Sequence, residues 1–154
     1  MEIRSDGVTP AKCSEMLTVC TALNLKKASR VVTKLFDDVL RPTGLRSTQL
    51  PILVTLRLLG PTPMRQLSAE LVMSPTTLTR NLKPLLKRGM VQVLAGEDRR
   101  TREISLAEPG RILLEEAVPL WEEAQGITVE SLGQARWRSL IDELAAAVEV
   151  VQAR

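Results

Sequence analysis

Residues 64–106 read MRQLSAELVMSPTTLTRNLKPLLKRGMVQVLAGEDRRTREISL, and the order of periodicities in this stretch decides the fold. Met64, Leu67 and Leu71 recur at steps of three and four, as on the inner face of a short helix. Ser74 then offers a hydroxyl cap, and Pro75 suits the first helical position, where its fixed φ helps and its missing N–H costs nothing. The second helix turns Leu78, Leu82, Leu85 and Leu86 inward and stops at Gly89, and Pro84 inside it is expected to bend or weaken it. From Met90 the period falls to two. Residues 90–94 and 102–106 alternate apolar with polar around the charged turn 96–101, the pattern of a β-hairpin. Two helices joined by a tight turn and followed by a two-stranded ribbon predict a winged helix-turn-helix.

Outside this core the chain reads as helix. Residues 13–40 carry a continuous apolar stripe (Leu17, Cys20, Leu23 or Leu25, Ala28, Val31 or Val32, Leu35, Val39) and predict one long helix ended by Pro42-Thr43-Gly44. A further helix is predicted from Ser47 or Thr48 to Leu59, with Pro51 in its first turn and a hard break at Gly60-Pro61-Thr62-Pro63. After the hairpin, residues 109–132 place Leu113, Ala117, Leu120, Ala124 and Ile127 on one face, with a kink expected at Pro119. From about Ala135, Trp137, Leu140 or Ile141, Leu144, Val148 and Val151 form a stripe of mean step near 3.5, which calls for a partner helix. The fold class expected is mainly α with a small β-hairpin wing.

Composition narrows the chemistry. The 154 residues are 44% hydrophobic and 25% charged, as in a globular protein. No apolar run reaches membrane-spanning length and the first residues lack a signal-peptide pattern, so the expected location is the cytoplasm. There is no His and no Tyr, and two cysteines cannot close a zinc site alone. Phosphate-loop, dinucleotide and nucleophile-elbow motifs are missing. Neither catalytic residue, metal nor cofactor is expected, and a hydrolase or transferase is the weakest reading. Charge is uneven: +4 over residues 1–60, +4 over 61–106 and −5 over 107–154. A basic centre suits contact with a polyanion.

The residues facing out of the second helix have the chemistry of groove readers. Ser74, Thr76, Thr77, Thr79, Arg80, Asn81 and Lys83 are the types that reach phosphates or base edges, Arg toward guanine and Asn toward adenine. Arg99 and Arg100 at the ribbon's tip suit a minor groove, with Asp98 able to brace one of them; Lys87, with Arg88, suits phosphate. Singly, such residues also describe a solvated helix face and a solubilising turn. Together and in this order they point to duplex DNA.

On these motifs the chain, over residues 17–151, resembles the multiple-antibiotic-resistance regulator (MarR) family of winged-helix regulators. Leu67-Ser68-Ala69-Glu70-Leu71, Pro75 through Leu82, Gly89-Met90-Val91, Asp98-Arg99-Arg100, Ile104-Ser105-Leu106 and Gly110 carry the likeness. It implies one MarR-type domain over residues 1–154. A DNA-binding region at 47–107 lies between helical dimerisation segments at 13–46 and 108–154. Leu17, Trp137, Leu140, Leu144, Val148 and Val151 are the expected dimer contacts. It further implies a sequence-specific homodimeric repressor on a pseudo-palindromic operator, released by a small-molecule effector or an oxidant. The effector pocket is expected between the first helix, the second helix and the start of the long one after the wing. Cys20 stands where a peroxide-sensing branch keeps its thiol, although that branch's tyrosines are missing; the other reading is a small buried hydrophobe. A protein-interaction module without DNA binding is the alternative from another class. Two positions depart from the pattern. Val72 occupies the helix-helix turn where Gly is common, and Ala107 replaces a capping Thr.

Overall fold

The structure, a computed structural model, describes residues 8–96 and 102–153. It divides into two compact units, one up to Lys34 and one from Leu35 onward. The first holds α1 (Pro10–Val19) and the greater part of α2 (Thr21–Leu40). The single helix expected over 13–40 is therefore two. Cys20 is extended (φ −66°, ψ 110°), and the Asn24 carboxamide donates to the carbonyls of Thr18 (2.9 Å) and Cys20 (3.0 Å). At Thr18 the side-chain amide stands in for the backbone donor of a continuous helix, while the Cys20 carbonyl accepts from the Asn24 N–H (3.0 Å) as well as from the amide. No Gly or Pro marks the break, and the apolar spacing runs across it.

In the second unit α2 ends in a 3-10 turn, Arg41–Thr43, closed by Gly44 at φ +67°. The next helix, α3 (Leu50–Leu59), starts later than expected. Arg46–Gln49 form a turn first, with the Gln49 and Leu50 N–H groups both on the Arg46 carbonyl, and Pro51 falls in the first helical turn. Residues read as a break hold a short strand, β1 (Thr62–Pro63), running directly into α4 (Met64–Glu70). Then follow α5 (Pro75–Lys87), β2 (Val91–Ala95), β3 (Arg102–Leu106), α6 (Glu108–Leu132) and α7 (Gln134–Gln152).

The wing is a three-stranded antiparallel sheet in the order β1-β3-β2, not a lone hairpin. Val91 faces Leu106 and Ala95 faces Arg102, while Thr62 faces Ile104. The two-residue strand was hidden by Pro63 and by Pro61 just before it, although a proline suits a sheet edge. One core joins these layers: Leu40, Leu45, Ile52, Leu53, Leu56, Leu67, Leu78, Leu82, Leu85, Val91, Ile104 and Leu113 are buried together.

Local chemistry explains the ends. Ala107 gives no side-chain cap to α6, as expected, yet its N–H donates to the Met90 carbonyl (3.0 Å). Glu108 in the first turn supplies the negative charge that a helix start favours. The hydrogen bond from Arg111 to Glu108 holds that carboxyl below its ordinary pKa and raises the guanidinium's. Helices α5 and α6 run through Pro84 and Pro119 as single elements. In α6, Leu113, Ala117 and Ala124 are buried, whereas Ile127, expected on the same face, is exposed. No helix among the described residues is long and apolar enough to cross a membrane.

Val72 is the one non-glycine residue with positive φ (+51°) among those described. The α4–α5 turn therefore keeps its geometry, and Val72 absorbs the strain instead of the turn changing. A β-branched residue there costs about 1–3 kcal/mol, against about 0.5–1 kcal/mol for the extra chain entropy of Gly. Val72→Gly should raise stability by about 1 kcal/mol, seen as a Tm higher by about 2–4 °C in a thermal melt. An unchanged or lower Tm would show that the turn carries no such strain.

Candidate nucleic-acid interface

The helix-turn-helix begins with α4, which seats Leu67 in the core and packs Met64 and Leu71 against it. The turn is closed by its backbone: Val72 N–H reaches the Ala69 carbonyl (3.1 Å) and Met73 N–H the Ser68 carbonyl (2.9 Å), while the Ser68 hydroxyl donates to Met73. Ser74 caps α5 as expected, its Oγ accepting from Thr77 N–H (3.2 Å). The far end closes on Gly89 at φ +68°. Gly89 N–H reaches Leu86 (3.0 Å) and Met90 N–H reaches Leu85 (2.9 Å), the two bonds of a Schellman motif.

Between these ends the faces of α5 divide. Leu78, Leu82 and Leu85 are buried; Thr76, Thr79, Arg80, Lys83 and Lys87 are exposed, on the opposite side of the wheel. Leu86, expected inward, is 39% exposed, at the margin between the faces. The result is a capped, thirteen-residue helix with a basic and hydroxyl-bearing outer surface and its positive dipole end at Ser74.

The expected contact residues do not all keep their polar groups for a ligand. The Ser74 hydroxyl also donates to Thr77 Oγ1 (2.9 Å), and Thr79 Oγ1 donates back to the Pro75 carbonyl (2.8 Å). Asn81 and Thr77 are half-buried. The Asn81 carboxamide is engaged at both ends: Oδ1 accepts from Thr48 Oγ1 (2.8 Å) and Nδ2 donates to the Thr77 carbonyl (2.9 Å). Arg88, read as a phosphate contact, donates instead to the carbonyls of Gly44 (3.0 Å) and Thr43 (3.1 Å). Sequence reasoning missed both ties because their partners lie 33 to 45 residues away. Asp98, Arg99 and Arg100 lie outside the described residues. The two strands that lead toward them are in register, Leu94 facing Glu103 and Ala95 facing Arg102.

The remaining expected sites fall on the long helices. In α7 no residue is buried; Leu140, Leu144, Val148 and Val151 are exposed, and Trp137 is half-buried with the Arg138 guanidinium 5.3 Å from its ring centre. Leu17 on α1 is also exposed. Both Cys13 and Cys20 are exposed, so in the single chain Cys20 is not the buried small hydrophobe considered from sequence. Between α3 and α6 a groove of about 420 Å³ is lined by Leu50, Pro51, Val54, Leu114, Val118 and Trp121, all apolar.

The model of the MarR family matches residues 45–101. An uncharacterized HTH-type transcriptional regulator of Bacillus subtilis, YwoH, is 32% identical over 92 residues, 60% of this chain and 67% of that protein. Among solved structures, the M. tuberculosis transcriptional regulator MosR, in complex with DNA, superimposes with a TM-score of 0.78 at 34% identity, covering 87% of this chain and 97% of that one. A probable transcriptional regulator from Pseudomonas aeruginosa gives 0.79 at 29% identity, over 85% and 98% of the two chains. With MosR the likeness covers most of both chains, and this chain belongs to the MarR family of transcriptional regulators.

Proposed function

We propose that the protein is a homodimeric, sequence-specific DNA-binding repressor, cytoplasmic and without catalytic activity. The observation that carries this reading is the division of α5, with three leucines in the core and Thr76, Thr79, Arg80 and Lys83 facing out from a capped helix start. A helix of this kind fits the major groove with its first turns on base edges. Arg80 reads a base, Thr76 and Thr79 flank it, and Lys83 and Lys87 hold phosphates. Ser74 and Thr77, whose hydroxyls bond each other, keep the helix start in shape beside the backbone. Arg99 and Arg100, with Asp98 as brace, extend the contact into the adjacent minor groove. The dimer forms through residues 13–46 and 108–154, with Leu17, Trp137, Leu140, Leu144, Val148 and Val151 in its seam. The exposed apolar stripe of α7 supports this, because a stripe of that size in water favours a partner.

A small apolar or aromatic effector in the α3–α6 groove would release the DNA. That groove's apolar lining, with Trp121 on one side, is what favours such a ligand over a charged one. An exposed Cys20 keeps release by an oxidant as a second reading, and Cys20→Ser protein that still lets go of DNA on peroxide treatment would end it. The test of the wing is Arg100→Ala. Affinity for duplex should fall about tenfold and the slope of log K against log salt should flatten by about one. Unaltered affinity and slope would refute the minor-groove role.

A further inference from the structure

Recognition helix α5 is tied at two points to the segment that links α2 to α3. We propose that residues 41–49 are a latch that sets the pose of α5 on DNA, with Asn81 and Arg88 as positioning residues and not DNA contacts. The proposal rests on the DNA-binding reading above.

The latch is a block tied together by its own hydrogen bonds. Thr43 Oγ1 donates to the Leu40 carbonyl (2.7 Å) and accepts from Leu45 N–H (3.2 Å), while Leu45 itself is buried. The buried Gln49 accepts from Arg46 N–H (3.0 Å). The block is anchored to α2 by Asp37, whose carboxylate accepts from Ser47 N–H (2.7 Å) and sits 3.7 Å from Arg46. From this block two arms reach α5. Thr48 holds Asn81 in its middle, and the carbonyls of Thr43 and Gly44 hold the Arg88 guanidinium at its end. Gly44 matters to the second arm because it offers its carbonyl from a φ of +67°, a conformation that residues with a side chain rarely adopt.

Exposed hydrogen bonds of this kind add little to stability, because water competes for both partners. What two separated ties do fix is the direction of a helix whose buried leucines would tolerate a small rotation. Base-edge contacts are lost on displacements that long lysines on phosphates can follow, so a loosened latch should cost discrimination before it costs affinity. Arg88 is suited to the task because its planar fork donates to two adjacent carbonyls at once, which Lys cannot reproduce.

The experiment compares full-length wild type with Arg88→Lys and Thr48→Val in two measurements. In DNA-free protein, amide hydrogen exchange across residues 77–87 should quicken about two- to threefold in both variants while α6 stays unchanged. On duplexes selected from a random pool, preference over an unrelated duplex of equal length should fall about tenfold, with the salt slope unaltered. Arg88→Lys protein that exchanges and discriminates like wild type would overturn the latch, since Lys serves a phosphate as well as Arg does. Equal weakening on both duplexes with a flatter salt slope would also overturn it, making Arg88 a phosphate contact. Wild-type protein that prefers no duplex would overturn the DNA-binding reading itself, and this is seen before any variant is compared.

Discussion

Gly110→Ala should unfold the junction between wing and α6, lowering stability by about 3 kcal/mol or more. Gly110 is buried in the first turn of α6, where a Cβ would stand 2.0 Å from the Met90 carbonyl oxygen and 2.9 Å from Leu106 Cδ1. The first of these is backbone, so no rotamer change relieves it. Either α6 withdraws, breaking the Ala107 N–H bond to that same carbonyl, or the start of β2 is pushed away from the Gly89 turn. At about 2–4 °C per kcal/mol for a chain of this size, Tm should fall by about 6–12 °C, with DNA affinity falling too because the wing is displaced. Gly126→Ala is the matched control. It lies in the same helix with nothing within 4 Å of its added Cβ, and should stabilise by up to about 1 kcal/mol. Thermal melts of both proteins decide the matter: equal small effects would contradict the close approach at Gly110.

The second large effect is expected on binding. Arg80 is exposed on the outer face of α5, in the second turn after the Ser74 cap, in the half of the helix that meets base edges in a recognition helix. Arg80→Ala should cost about 1–3 kcal/mol on the selected operator, or about 5- to 150-fold in affinity, because a bidentate base contact is lost. Binding to an unrelated duplex should weaken far less. The melting curve should hardly move, since Arg80 packs no core. Titration of both duplexes with wild type and variant separates the cases. Equal loss on both would reduce Arg80 to a phosphate contact, and no loss on either would remove α5 from the groove.

How much of this was legible beforehand depends on the range of the interactions. Local rules found the Ser74-Pro75 start and the Gly89 stop of α5, because caps act within one turn of the chain. Period-two alternation found β2 and β3. The break at Cys20 was not legible, since the apolar spacing crosses it and the amide that stabilises it sits four residues on, at Asn24. Strand β1 was hidden because prolines suggest a break, and only β3, forty residues later, gives Thr62 a partner. The contact surface shows the same divide. Which residues of α5 face outward follows from the helical period. That Asn81 and Arg88 are spent on holding Thr48, Thr43 and Gly44 depends on tertiary neighbours that no spacing rule reaches. Val72 is an intermediate case: its strain was visible as a residue unsuited to positive φ, and the structure shows that the turn prevailed.

The central claim is that two copies of this chain read one duplex through paired α5 helices and wings. Selection of bound sequences from a random duplex pool, followed by footprinting of both strands, tests it most directly. The expected result is a pseudo-palindrome with half-sites about one helical turn of 10 base pairs, or a multiple of it, apart, protected as a unit. A pool that emerges no richer in any sequence than it began, or protection of a lone half-site by a monomer, would contradict it.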